Sequence, residues 1–179
     1  MEVTFRPRKP EDNPVLAKMA VQTMGKVVQE SAGYALSEPM ALRQIEENQV
    51  TTIIEHKHQP IGYYSYSMLP TGQMYLSAVI IVPEFQHHGI GRLVAERIER
   101  EARSHQTDTI LGHIHYANQQ SLIFWLKNGW KIIGPHMHGT LAVQKKLDPA
   151  LPSDSHSTPT KAPPKKRKSN LTRSKRYVK

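Results

Sequence analysis

Apolar residues recur along this chain with two periods that alternate several times. Residues 2–6 alternate apolar and polar, which predicts a short strand. After Asp12-Asn13-Pro14 the spacing becomes helical, with Leu16, Met19, Ala20, Thr23 and Val27 on one face. Proline at a first helical position favours a start there, and Ser31-Ala32-Gly33-Tyr34 breaks the pattern. Ser37-Glu38-Pro39 opens a second helix that runs to about Glu47, with Met40 and Ile45 expected inside. Residues 50–55, 61–69 and 73–82 read as strands, the second rich in tyrosine. Turns at residues 56–59 and at Pro70-Thr71-Gly72 separate them. A third helix then buries Ile90, Leu93, Val94, Ile98 and Ala102, with Glu96–Arg100 and Glu99–Arg103 pairs on its wet side. A strand over 109–116, a helix from Asn118, and strands near 131–134 and 140–147 complete the pattern.

The strand–helix–strand unit over 73–116 implies a parallel pair joined by a right-handed crossover. Hairpins flank it, so the expected fold is α/β: one mixed, mostly antiparallel sheet with helices on both faces, spanning 1–148. From 149 onward Pro, Ser, Thr and Lys dominate and apolar residues nearly vanish. Such a segment buries too little surface to offset its ordering entropy, so 149–179 is expected to be a disordered tail. Charge separates the two parts. The net charge is +9, and the tail holds nine Lys/Arg against one acid, leaving fifteen bases and fourteen acids to residues 1–148. The basic balance belongs to the tail, so the body is not expected to bind nucleic acid by bulk charge.

With no cysteine, disulfides, thiolate metal sites and thiol nucleophiles are excluded. No apolar run approaches the ~20 residues of a membrane span, and Met1-Glu2-Val3-Thr4-Phe5-Arg6 lacks a signal-peptide pattern, so a cytoplasmic protein without membrane contact is expected. Pro163-Pro164-Lys165-Lys166-Arg167-Lys168 resembles a nuclear localisation signal, which would apply in a eukaryotic or viral setting. The basic stretch 161–179 would also contact a polyanion, nucleic acid or ribosome, with salt-sensitive affinity.

The most specific segment is Val82-Pro83-Glu84-Phe85-Gln86-His87-His88-Gly89-Ile90-Gly91-Arg92-Leu93. A strand ends at a proline, a glycine loop follows, and a helix begins at once. Glycines allow close backbone approach, and the first amides of a helix lack internal partners. With the helix dipole they form a site for phosphate oxygens. No Lys-Ser or Lys-Thr follows the glycines, which argues against a nucleoside-triphosphate loop, and Val94 stands where a dinucleotide fingerprint needs its third glycine.

Gln86, Gly89 and Gly91 after Pro83-Glu84 resemble the coenzyme A loop of the GNAT superfamily, the Gcn5-related N-acetyltransferases. A second segment starts 27 residues after Gly91: Asn118-Gln119-Gln120-Ser121-Leu122-Ile123-Phe124-Trp125-Leu126-Lys127-Asn128-Gly129-Trp130. It is similar to that family's later motif, in which an Asn opens a helix and an aromatic residue lies four before Gly-Phe or Gly-Trp. Asn118 is a good N-cap, and Gly129 can take the left-handed conformation that stops a helix. The resemblance covers residues 3–147. It implies a split sheet and acetyl-coenzyme A as co-substrate; a metal at His113 and His115 is not expected, because no nearby carboxylate or third ligand is apparent. The resemblance places the diphosphate over Gln86, His87, His88, Gly89, Ile90, Gly91 and Arg92. The pantetheine arm would pair with Ile81 and Val82, and Asn118 would serve both carrier and catalysis.

The family's base and acid positions are altered here. The histone-lysine branch has a carboxylate eleven residues before the Gln, where this chain has Tyr75. The ribosomal-protein N-terminal branch has a Glu five before the Asn, where this chain has His113. A histidine, with an ordinary pKa near ~6.5, suits proton removal at pH 7, so His113 is the expected base, with His115 on the same strand face. Trp125 replaces the family's acidic Tyr. An indole N–H donates a hydrogen bond but gives up no proton, so Trp125 is expected to support the thiol or pack the pantetheine. Water, Tyr116 or Tyr34 would help the thiol leave. Tyr34, flanked by Glu30 and Glu38, is a candidate acceptor lip. The expected function is acetyl transfer to a primary amine on a protein or small molecule. The alternative is a nucleic-acid- or ribosome-associated acyl-coenzyme A-binding protein on the same body, with weak or lost catalysis.

Overall fold

A computed structural model describes residues 1–148; the basic segment from 149 onward lies outside the described residues. The chain opens with β1 (Thr4–Pro7), a 3-10 turn over Pro10–Asp12, α1 (Asn13–Ala32) and α2 (Glu38–Glu47). Then come β2 (Val50–His56), β3 (Gln59–Met68), β4 (Met74–Ile81), α3 (Ile90–Ser104) and β5 (Thr109–His115). α4 (Gln119–Lys127), β6 (Lys131–His136) and β7 (Thr140–Lys146) follow. One seven-stranded sheet has the order β1-β2-β3-β4-β5-β7-β6, and only β4 and β5 run parallel. This is the mixed sheet read from the pattern.

Strand alternation sends neighbouring side chains to opposite faces. Ile53, Tyr63 and Ile80 pack with Leu16, Ala20, Ala41 and Ile45 of α1 and α2. Ile54, Tyr64, Met74 and Ile110 pack with Val94, Ile98 and Ala102 of α3 and with Trp125 of α4. Each such large side chain contributes about 1.5–3 kcal/mol through burial. Two expected core residues lie outside. Met40 is 40% exposed and Leu93 43%; Ala41 and Ala95 are buried instead. Ala41 is one position from Met40 and Ala95 two from Leu93, so the edge of the apolar stripe differs from its sequence reading. Along α3, Glu96 pairs with Arg92 rather than Arg100, while Glu99 does pair with Arg103.

Two features shape the centre of the sheet. β4 and β5 pair only at Met74↔Ile110, Tyr75↔Leu111 and Leu76↔Gly112. Beyond Leu76 the two strands no longer pair, while β4 continues beside β3 to Ile81. At the last rung a Cβ on Gly112 would lie 3.2 Å from the Leu76 carbonyl oxygen. The other feature ties the end of α1 to the sheet. Tyr116 donates from its hydroxyl to the Glu30 carbonyl, the Ala117 amide donates to Ser31 Oγ, and the Tyr116 amide donates to the Gly139 carbonyl. Gly139, at φ 68°, lies so close that a Cβ would sit 1.8 Å from the Ser31 oxygen.

Candidate active site

The stretch after β4 builds a concave run of amides. Pro83–Phe85 forms a 3-10 turn, His87 has φ 62° and Gly89 φ 81°, and α3 begins at Ile90. The amides of residues 87–91 have no backbone acceptor among the described residues. A left-handed residue beside such amides is an arrangement suited in general to anions, and this one stands at the positive end of a 15-residue helix. Gln86 braces it by donating from Nε2 to the Ile81 carbonyl at 2.7 Å. His88 Nδ1 lies 2.7 Å from the Gln86 carbonyl oxygen and His87 Nε2 lies 3.1 Å from Gln120 Nε2. Arg92 points along its helix to Glu96 at 2.9 Å. Gly91 lets the first turn of α3 lie against α4, because a Cβ there would meet the Phe124 ring at 3.3 Å.

Val82, with Ile81, stands at the end of β4, where the strand gives way to the turn. Its amide donates to Ile61 and its carbonyl accepts from Phe85, while the Ile81 carbonyl is engaged by Gln86. The backbone left unpaired toward β5 is the stretch from Ser77 to Ile81.

A cleft of about 560 Å³ opens where β4 and β5 part. Tyr75, Ser77, Val79, His113, His115, Asn118 and Trp125 line it, with Tyr34 and Glu47 from the α1–α2 side and His136 and His138 from the β6–β7 hairpin. Of the expected lip, Tyr34 is there, but Glu30 and Glu38 do not line the cleft; Glu47 does. Asn118 caps α4, accepting the Ser121 amide at 3.1 Å. Trp125 is 7% exposed and packs edge-on against Phe124 and Trp130, with ring centroids 5.0 Å away in each case. Tyr116 spends its hydroxyl on Glu30. Among the described residues, no group of three or more His, Cys, Asp or Glu is placed to hold a metal.

His113 has two partners that the sequence did not pair with it. Tyr75 Oη lies 2.6 Å from His113 Nδ1, and the His136 ring stacks on His113 with centroids 3.6 Å apart and 30° between planes. Desolvation, then the neighbouring His136, pushes the pKa of His113 below the usual histidine value. Burial also lowers His115 and raises the Tyr75 phenol. Tyr75 could have been found from the parallel register, because Tyr75 faces Leu111 and His113 is two residues further on the same face. His136 carried no local signal, since it reaches the site only through the order β5-β7-β6.

Residues 20–130 match the profile of the Acetyltransferase (GNAT) family. The chain belongs to that family. The GNAT fold is also evident in solved structures. PaiA N-acetyltransferase from Thermoplasma acidophilum, in complex with coenzyme A, is 17% identical with a TM-score of 0.68, over 82% of this chain and 100% of that one. Ard1 from Thermoplasma volcanium is 13% identical, TM-score 0.67, over 83% and 100%. The ribosomal-protein-S18-alanine N-acetyltransferase from Escherichia coli is 14% identical, TM-score 0.62, over 85% and 98%. No curated protein sequence matches the chain. The GNAT assignment accounts for the parted strands and for the amide-lined turn before α3.

Proposed function

We propose that this GNAT domain transfers an acetyl group from acetyl-coenzyme A to a primary amine. One observation carries the proposal: the β4 edge that β5 leaves unpaired, Ser77 to Ile81, is followed across residues 82–86 by the amides at 87–91 that have no backbone acceptor among the described residues. An extended amide-bearing arm can add to a free strand edge, and a diphosphate suits the start of a helix. PaiA N-acetyltransferase, solved with coenzyme A, has a similar fold, which supports the choice of carrier. Gln86 through Arg92 would hold the phosphates, and the β4 edge would hold the arm. Asn118 and Trp125 would line the space at its reactive end, beside His113, Tyr75 and His136.

The lining favours acceptors of one kind. Among the described residues the cleft has a single carboxylate, Glu47, already paired with Arg43 at 2.7 Å, and no Lys or Arg. A polycation would lack counter-charges there, and an amino acid would lack a partner for its carboxylate. These features support an acceptor amine whose remaining body carries little charge.

Thiol release from acetyl-coenzyme A, followed with protein lysines, protein N-termini, polyamines, antibiotic amines and simple monoamines, tests the proposal. Acceleration by a neutral-bodied amine, with polyamines the poorest substrates, is expected. Coenzyme A that raises the melting temperature while no amine accelerates release would instead favour the reading as a carrier-binding protein.

A further inference from the structure

The hydrogen bonds around the stacked imidazoles fix which nitrogen of each ring carries its hydrogen. Thr140 donates its one hydroxyl hydrogen to the Met137 carbonyl at 2.8 Å. His136 Nδ1 lies 3.2 Å from that same hydroxyl oxygen, which has only lone pairs left to offer. His136 Nδ1 must therefore be the donor, and its Nε2 keeps a free lone pair. The Tyr75 contact runs the other way. A phenol is a better donor than a neutral imidazole, an imidazole nitrogen is a better acceptor than a phenol oxygen, and 2.6 Å suits a short O–H···N bond. Tyr75 donates to His113 Nδ1, so His113 carries its hydrogen on Nε2. Two rings stacked at 3.6 Å thus hold opposite tautomers.

Resting on the acetyl-transfer reading, we propose that the two histidines divide the work: His136 Nε2 accepts the proton of the attacking amine, and His113 Nε2–H donates a hydrogen bond to the thioester carbonyl oxygen. The amine enters the reaction after losing one proton to solvent. As its nitrogen bonds to the carbonyl carbon and the carbon–sulfur bond breaks, His136 Nε2 takes the second nitrogen-bound proton and returns it to the departing sulfur. His113 gives up no proton, because Tyr75 occupies Nδ1 and release would leave an imidazolate. As a donor it would stabilise the oxygen on which negative charge develops. His136 suits proton traffic because it is exposed to solvent, whereas His113 is half-buried. The other ionisable groups lining the cleft are Tyr34, Glu47, Tyr63, Tyr75, His115 and His138.

Glutamine substitutions separate the roles, because a carboxamide donates a hydrogen bond but takes no proton at neutral pH. With an amine found active in the panel, His113→Ala should lower kcat about 100-fold and His113→Gln should stay within about tenfold of the parent. His136→Gln and His136→Ala should both fall about 100-fold, with the KM for acetyl-coenzyme A little changed. Equal damage in His113→Gln and His113→Ala would overturn the division of labour, as would a parent-like His136→Gln or a loss confined to His115→Gln. Imidazole 15N shifts give a readout independent of turnover. They should show His136 protonated on Nδ1 and His113 on Nε2, with His113 losing its fixed tautomer in Tyr75→Phe. The reverse tautomers would overturn the proposal even in an active enzyme. Correct tautomers in a protein that acetylates no amine would fault the acetyl-transfer reading instead.

Discussion

At the scale of single residues, Gly91 sits in the first turn of α3 and lets that turn lie against the Phe124 ring. Gln86, Gly89 and Gly91 were legible in the sequence because their spacing serves a local turn before a helix. The second duty of Gly91, contact with the Phe124 ring, joins two elements and leaves no trace in spacing. That duty shapes the test of the loop. Gly91→Asp adds both volume and negative charge, whereas Gly91→Asn adds nearly the same volume alone. Calorimetry should show both variants binding coenzyme A more weakly than the parent. Asp should be at least about tenfold weaker than Asn, or ~1.4 kcal/mol, because only it repels the phosphates. The gap should narrow in high salt; equal affinities for the two variants would argue that the diphosphate binds elsewhere. Tyr75 shows why residue-by-residue matching falls short. Measured against a carboxylate it looks like a loss, yet its hydroxyl meets His113 at 2.6 Å.

Elements were read more accurately than residues, because turn and cap chemistry is local. Gly33 ends α1 at φ 77°, Gly129 follows α4 at φ 83°, and Lys57 and His58 form the left-handed turn between β2 and β3. The exposure of Met40 and Leu93 was not legible, since periodicity gives a stripe while the sheet beneath decides its edges. Asn118 allows a direct check. Its side chain accepts the Ser121 amide, so Asn118→Ala should cost about 1 kcal/mol in urea denaturation, and Asn118→Ser should recover most of it. If Asn118 also touches substrate, the serine variant will regain stability without regaining full turnover. The clasp between α1 and the β6–β7 turn makes a second prediction. Gly139→Ala must move backbone away from Ser31 and occupy φ 68°, so it should lower the melting temperature, at a cost of at least about 1–3 kcal/mol.

For the whole molecule, strand order does what no segment encodes. β7 lies between β5 and β6, which brings His136 onto the ring of a residue 23 positions earlier. The same burial gives the fold an acid sensitivity. His113 and His115 both have lowered pKa values in the folded chain. Below pH ~6.5 the unfolded chain therefore binds protons that the folded chain refuses, and stability must fall as pH drops. Urea midpoints measured between pH 7.5 and 5.5 should decline, and the slope should be shallower in His115→Gln; a flat profile in the parent would contradict the burial. The parting of β4 and β5 has a last consequence. A sheet that stops pairing part-way leaves one seat for a strand-like guest, and the spent carrier bears the same arm as the loaded one. Free coenzyme A should therefore compete with acetyl-coenzyme A for that seat, and turnover should slow as the spent form accumulates.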